Sequence, residues 1–252
     1  MKQKNVIPDS SYWQRYDLFY EKLFDNKYFK NILMLSQDDG QSAHWLNERF
    51  PKAKIVSVSS KPIKKKSTSN KLITHIHGEL ENVQFLEEIF NIRYDLIIDN
   101  SVKLPSVQPM LFKYACHYIN RGGMFISEGL QTNFRSHPVY KYDVVRFERN
   151  EDEIDSLLHL ALMFRAILRG DIVGSGNITK SFLNFSGINF SIDELIFLQE
   201  KISKVFLHRR IDLPLLCWNC QSREFSLKSL KCSCGVDLFY DEADSMAGAF
   251  LF

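Results

Sequence analysis

The sequence predicts an α/β protein: a doubly wound, mostly parallel sheet followed by a small C-terminal metal-binding appendage. Three observations carry this. Residues 95–134 contain a complete strand, crossover helix and second strand in one βαβ unit. Short apolar runs and helix-period segments alternate along residues 31–134, as layered α/β folds require. Four of the five cysteines crowd into residues 217–234.

Residues 11–25 place Tyr12, Trp13, Tyr16, Phe19, Tyr20, Leu23 and Phe24 on one helical face, which packs on the sheet or covers the mouth of a site. Asn31 to Ser36 is the first strand, the loop Gln37-Asp38-Asp39-Gly40-Gln41 follows, and a helix runs near Ser42–Phe50. Gly40 suits a turn in which backbone approaches a ligand closely beside a helix N-terminus. Ala53 to Ser59 is the second strand, and the basic loop 61–71 after it reads as a solvated loop. Leu72 to His77 is the third, with His75 and His77 on the face of Ile73, and Gly78-Glu79 follows. A helix at 82–90 packs through Val83, Leu86, Ile89 and Phe90.

Asp95 to Asp99 is a compact apolar run that stops at Asn100-Ser101, as a buried parallel strand does. From Ser106 the apolar residues recur at helical spacing, Pro109 being tolerable because it lies in the first turn. Arg121-Gly122-Gly123 ends that helix. Met124 to Ser127 is the next strand with Glu128 at its carboxyl end, so Asp99 and Glu128 flank one crevice where an α/β ligand sits. Ile154 to Leu168 marks a long amphipathic helix, 170–187 a loop-rich connection, and 188–207 an antiparallel pair of edge strands.

With 252 residues, 45% of them hydrophobic, the chain can bury a substantial core. A net charge of +2 is too small to argue for nucleic acid, and no apolar run approaches the roughly 20 residues of a membrane span. MKQKNVIPDSSYW lacks the apolar centre of a secretory signal, so the expectation is a cytoplasmic protein. In a reducing compartment, clustered cysteines point to metal. Cys217 and Cys220, eleven intervening residues, then Cys232 and Cys234 can surround one zinc ion on a short hairpin. The second pair has one spacer instead of two, which makes the knuckle atypical. The expected division is 1–210 for the α/β domain and 211–252 for a zinc ribbon that serves stapling or partner contact ahead of nucleic-acid reading.

Residues Ile98-Asp99-Asn100-Ser101-Val102-Lys103, Arg121-Gly122-Gly123 and Glu128-Gly129-Leu130-Gln131-Thr132-Asn133-Phe134 resemble three motifs of class I S-adenosylmethionine (SAM) dependent methyltransferases. The similarity is to the macrolide-sugar O-methyltransferase and cephalosporin-hydroxylase-like group, and it covers roughly residues 12–207, including Trp45 and Phe50-Pro51. It implies a Rossmann-like seven-stranded sheet closed by a hairpin. It places SAM against Ser36, Gly40, Ser59, Glu79 and Asp99, and Mg²⁺ beside Asp99 and Glu128. Where that family has acids after its first and second strands, this chain has Ser36 and Ser59. Asn100 stands for a second Asp, Lys103 for a His and Gly129 for the Asp after Glu.

Packing positions persist while chemical ones have changed. The first reading is therefore a non-catalytic methyltransferase-like protein that binds a small-molecule or protein partner in an eroded crevice, with oligomers open to it. The second is an active SAM-dependent O-methyltransferase on a sugar-like or other small acceptor, with Lys103, His75 or His137 as an unusual base. Nucleic-acid binding through the ribbon and the Lys61–Lys71 loop comes third.

Overall fold

The computed structural model describes residues 15–38, 40–61, 71–146, 156–185, 189–210, 212–214, 216–217, 219–238 and 245–252. Helix α1 (Tyr16–Phe24) leads into β1 (Asn31–Ser36), α2 (Gln41–Arg49), β2 (Lys54–Ser59), β3 (Ile73–His77) and α3 (Val83–Ile89). Then come β4 (Tyr94–Asn100), α4 (Val107–Tyr118), β5 (Ile119–Glu128), a 3₁₀ turn (Leu130–Asn133), α5 (Pro138–Arg146) and α6 (Leu157–Arg169). The chain continues through α7 (Ser175–Phe185), α8 (Ile192–Lys201), β6 (Lys204–Arg209), the short pair β7 (Phe225–Ser226) and β8 (Lys231–Cys232), and β9 (Met246–Leu251).

Seven strands form one sheet in the order β3-β2-β1-β4-β5-β9-β6, parallel except for β9, which is antiparallel to both neighbours. Because strand side chains alternate, each central strand feeds two cores. Leu33, Leu35, Ile97 and Phe125 meet α3, α4, α6 and α8 on one face. Ile32, Met34, Leu96, Ile98, Met124 and Ile126 meet α1 and α2 on the other. This two-sided burial is why β1, β4 and β5 are nearly continuous apolar runs, and it leaves their carboxyl ends open at one edge.

Three expectations change. The stretch 170–187 holds α7, whose Phe182 is buried against Phe164 of α6. The stretch 188–207 is not a strand pair: Ser191 and Glu194 form a complete capping box and launch α8, which buries Leu195 and Leu198. That box outweighs the short alternation read as strand. The sheet is still closed by an antiparallel pair, but β6 takes β9 as its partner, from beyond the cysteines. The cysteine segment is thus an excursion between β6 and β9, and the end of the expected 211–252 appendage runs inside the sheet. Small side chains are needed there: a Cβ on Gly248 would lie 2.8 Å from Leu130 Cδ1.

Candidate active-site crevice and cysteine cluster

The crevice begins at the end of β1. Ser36 is buried, and its hydroxyl donates to Asp38 Oδ1 at 3.3 Å. The same carboxylate accepts the backbone N–H of Gly40 at 2.8 Å, the N–H of Ser42 at 3.2 Å and the Ser42 hydroxyl. Gly40 adopts φ 101°, a left-handed turn that a side chain would strain. Asp38 therefore sits on the amides at the start of α2, the group a helix N-terminus attracts. Ser59, wholly buried at the end of β2, donates to the Asp38 carbonyl at 3.0 Å and accepts from the Lys61 N–H at 3.0 Å. Asp38 is not among the cofactor contacts the resemblance implies, but it is one of the acidic neighbours, with Glu79, from which such a crevice could be rebuilt. Its signal was the Asp-x-Gly-x-Ser spacing of a local cap.

Asp99 and Glu128 do come together at the carboxyl ends of the adjacent strands β4 and β5, where Asp99 pairs in register with Ser127. Asp99 is 1% exposed; it accepts the N–H of Ser101 at 3.1 Å, the Ser101 hydroxyl, and the Ser127 hydroxyl at 3.3 Å. Burial pushes its carboxyl up to about 6, outweighing the hydrogen bonds from Ser101 and Ser127 and the Lys103 charge, which pull the other way. Gln108 Nε2 bridges Ser127 Oγ at 3.2 Å and the Glu128 carbonyl at 2.9 Å. Asn133 donates to Gln108 Oε1 at 2.8 Å and accepts the N–H of Leu158, so the network reaches α6.

Glu128 is 2% exposed and receives the Tyr20 hydroxyl from α1. Tyr16, one turn earlier, donates to the Met246 carbonyl at 2.9 Å and accepts the Gly129 N–H at 3.2 Å. Burial and the Glu128 charge hold both phenols well above their ordinary range, so they act as donors. The apolar face of α1 thus covers the crevice and also supplies it with hydroxyls. Gly129 has φ +79°, and the Lys103 stem lies across it: an added Cβ would be 2.6 Å from Lys103 Cδ.

Other predicted residues fall elsewhere. Glu79 is exposed on the turn between β3 and α3, where the Phe85 ring lies against Gly78. His75 is half-buried, with its ring 6.2 Å from that of His44. His77 is exposed, and His137 Nδ1 accepts the Val139 N–H at 3.1 Å. Tyr12, Trp13, Asp39 and most of the Lys61–Lys71 loop lie outside the described residues.

The four cysteines 217, 220, 232 and 234 converge, with all four sulfurs within 4.8 Å of one another. Cys217 and Cys234 are 3.7 Å apart, Cys220 and Cys232 3.5 Å. A disulfide requires about 2.05 Å. Thiolates at about 2.3 Å from a tetrahedral ion lie roughly 3.8 Å apart, so the cluster fits a four-coordinate metal. The Cys234 thiol is drawn down to about 6 by the Val236 amide and then by Asn219, and the Cys234 amide lowers Cys232, whereas the Cys220 thiol is pushed up to about 12, the Ser222 amide being outweighed by its hydrogen bonds to the other cysteines and by burial; the sulfur geometry, not the titration, carries the fit to a metal. Buried Arg210 joins this module to the sheet, donating to the Leu238 carbonyl at 2.6 Å and the Asp212 carbonyl at 3.3 Å.

Sheet order, crevice position and the antiparallel β9 define a Rossmann-like methyltransferase fold. By sequence the chain matches no protein-family profile and no curated protein. By structure it is similar to the MycE methyltransferase of the mycinamycin biosynthetic pathway, solved with Mg, SAH and mycinamycin VI. That likeness has a TM-score of 0.50 and 16% identity over 68% of this chain and 48% of MycE, so the chain spans about half the length of that relative. A putative caffeoyl-CoA O-methyltransferase from Staphylococcus aureus is 11% identical over 94% of this chain and 83% of its own, TM-score 0.43. The N-methyltransferase NodS from Bradyrhizobium japonicum WM9 is 10% identical over 94% and 93%, TM-score 0.43.

Proposed function

We propose that this chain is a methyltransferase-fold protein whose crevice has given up metal-assisted methyl transfer and serves to bind a protein or an altered small-molecule ligand, with structural zinc in the cysteine cluster. One observation carries the reading: the crevice's polar groups are engaged with each other. Asp38 caps α2, Asp99 holds Ser101 and Ser127, and Glu128 holds Tyr20. Mg²⁺ keeps several waters and near-octahedral oxygen ligands. Two carboxylates exposed by 1% and 2%, already carrying hydroxyl donors, do not fit it. SAM fits no better. Ser36 and Ser59 lack the charge that its amino and ribose groups meet in the resembled family, and both hydroxyls are already bonded.

A second reading, an active SAM-dependent O-methyltransferase on a sugar-like or other small acceptor, is favoured by Asp99. Its carboxyl, near 6, lies in the range of a general base, and Lys103 is close enough to act on it electrostatically. Native mass spectrometry of the protein as purified separates the two. Chains carrying about one zinc and no other adduct support the first reading; a copurified SAM or SAH in stoichiometric amount overturns it.

Cytoplasmic residence is part of the proposal, resting on four reduced, metal-disposed cysteines. No helix among the described residues is long and apolar enough to cross a membrane.

A further inference from the structure

The opposite end of the parallel strands carries a second cavity. β5 spans ten residues, so its first residue, Ile119, lies roughly 30 Å from Glu128 at its far end. Beside Ile119, where the last turns of α4 and α8 approach the preceding loop of β4, there is a cavity of about 590 Å³. This is within the roughly 300–1,000 Å³ range of small-ligand sites.

Its wall brings together Arg93, His117, Arg121 and Lys201 with Phe197 and Phe252; Glu200 is the one acidic side chain lining it. His117 stacks on Phe197 with centroids 5.0 Å apart, and Lys201 Nζ lies 5.5 Å from the same ring, so a single aromatic positions two basic groups. Arg93 spends one N–H on the Ile119 carbonyl at 3.3 Å, which orients its guanidinium and leaves its other donors available. Among the described residues, Arg93, Arg121 and Lys201 form no ion pair with a carboxylate. Cys116 closes the floor as an inert wall group, its thiol pushed up to about 12 by burial.

His117 and Lys201 stand in the last turns of α4 and α8, where cations also answer the negative end of the helix dipole. Arg93 and Arg121 have no such reason: one precedes β4 and the other lies in β5. Three cations gathered around one concavity outnumber the acidic side chain of Glu200 and leave net positive charge there, which an anion of more than one charge offsets. Guanidinium forks match phosphoryl oxygens in pairs, which favours phosphate over a single carboxylate. We propose that this cavity binds a phosphate-bearing small molecule, with Arg93, Arg121 and Lys201 on its phosphoryl oxygens and its apolar part against Phe197 and Phe252.

The test is calorimetric titration of the full chain with inorganic pyrophosphate at low salt, on the wild type, on an Arg121→Ala/Lys201→Ala variant, and on a control in which Lys64, Lys65 and Lys66 of the basic loop are alanine. The expected result is saturable binding that weakens with salt, falls by roughly a hundredfold in the Arg121/Lys201 variant and persists in the control. Circular dichroism shows whether each variant is folded, and Arg121→Lys, which keeps the charge and loses the fork, should fall between wild type and the double variant. Absence of binding to the wild type, an unchanged affinity in the folded double variant, or loss confined to the lysine-loop control would overturn the proposal. SAM plays no part in this site, so its outcome is independent of the crevice reading.

Discussion

Removing the proposed zinc from the cysteine cluster should weaken the sheet without unfolding it, and the size of the effect follows from where the module is inserted. About 36 residues separate β6 from β9, and tying Cys217 to Cys234 leaves roughly 20 of them as free loop. Releasing the tie costs only about 0.5 kcal/mol of closure entropy, since that entropy grows with the logarithm of loop length. Arg210 matters more, because its bond to the Leu238 carbonyl exists only while the module is folded. A charged hydrogen bond of this kind contributes about 1.5–3 kcal/mol. Together these give about 2–4 kcal/mol, or a fall in Tm of roughly 5–15 °C for a chain of this size. Thermal unfolding followed by helical circular dichroism, with and without a zinc chelator and on Cys217→Ser, measures it. Arg210→Ala should cost less in chelator than in zinc, because both perturbations remove one interaction. A shift under 1 °C, or complete unfolding on chelation, would refute the reasoning: the first would detach the module from the sheet, the second would make β9 depend on it.

Asp99 should give the protein a pH signature. The folded chain keeps that proton to about pH 6, whereas the unfolded chain releases it near 3.8. The native state therefore binds more protons across that window, and stability falls as pH rises through it, by about 3 kcal/mol from this group. Urea midpoints between pH 4 and 7 should show the slope, and Asp99→Asn should flatten it; an identical slope in the variant would remove Asp99 as its source. Tyr20→Phe takes one donor from buried Glu128 and should cost about 1–3 kcal/mol at neutral pH, partly recovered by adding Glu128→Gln. An unchanged urea midpoint would mean the phenol–carboxylate contact contributes nothing. Gly129→Ala should destabilise by about 1–3 kcal/mol, from the left-handed φ and the Lys103 contact. Adding Lys103→Ala should restore only the contact part in thermal unfolding, and full recovery would show that the backbone carries no strain.

Much of this architecture was legible along the chain because its causes are local. Asn31–Ser36 and Asp95–Asp99 are apolar on both faces, and a parallel strand covered by helices needs that. Asp99 and Glu128 could be placed at one edge because each ends such a run. The cysteine spacing carried its own geometry. What stayed hidden depends on contacts between distant residues. Nothing near Glu128 announces that Tyr20, 108 positions earlier, donates to it. Met246–Leu251 reads as a tail until β5 and β6 are seen to leave a gap between them. Asp38 is an intermediate case. Its distance from Gly40 and Ser42 is a capping signal, but its weight shows only when the carboxylate takes the amides that a ligand would otherwise meet. α8 opens on a capping box at Ser191 and Glu194, a signal as local as any in the chain, but the alternation of the short apolar stretch around it also fits a strand.

The claim that the crevice groups satisfy one another instead of a cofactor is tested most directly by calorimetric titration of the unmodified chain with SAM. Loss of two charge-assisted contacts, each worth about 1.5–3 kcal/mol, moves a micromolar affinity toward millimolar. The account therefore predicts no measurable heat at micromolar SAM, with Ser36→Asp/Ser59→Asp gaining some affinity. Micromolar binding by the unmodified chain would contradict it.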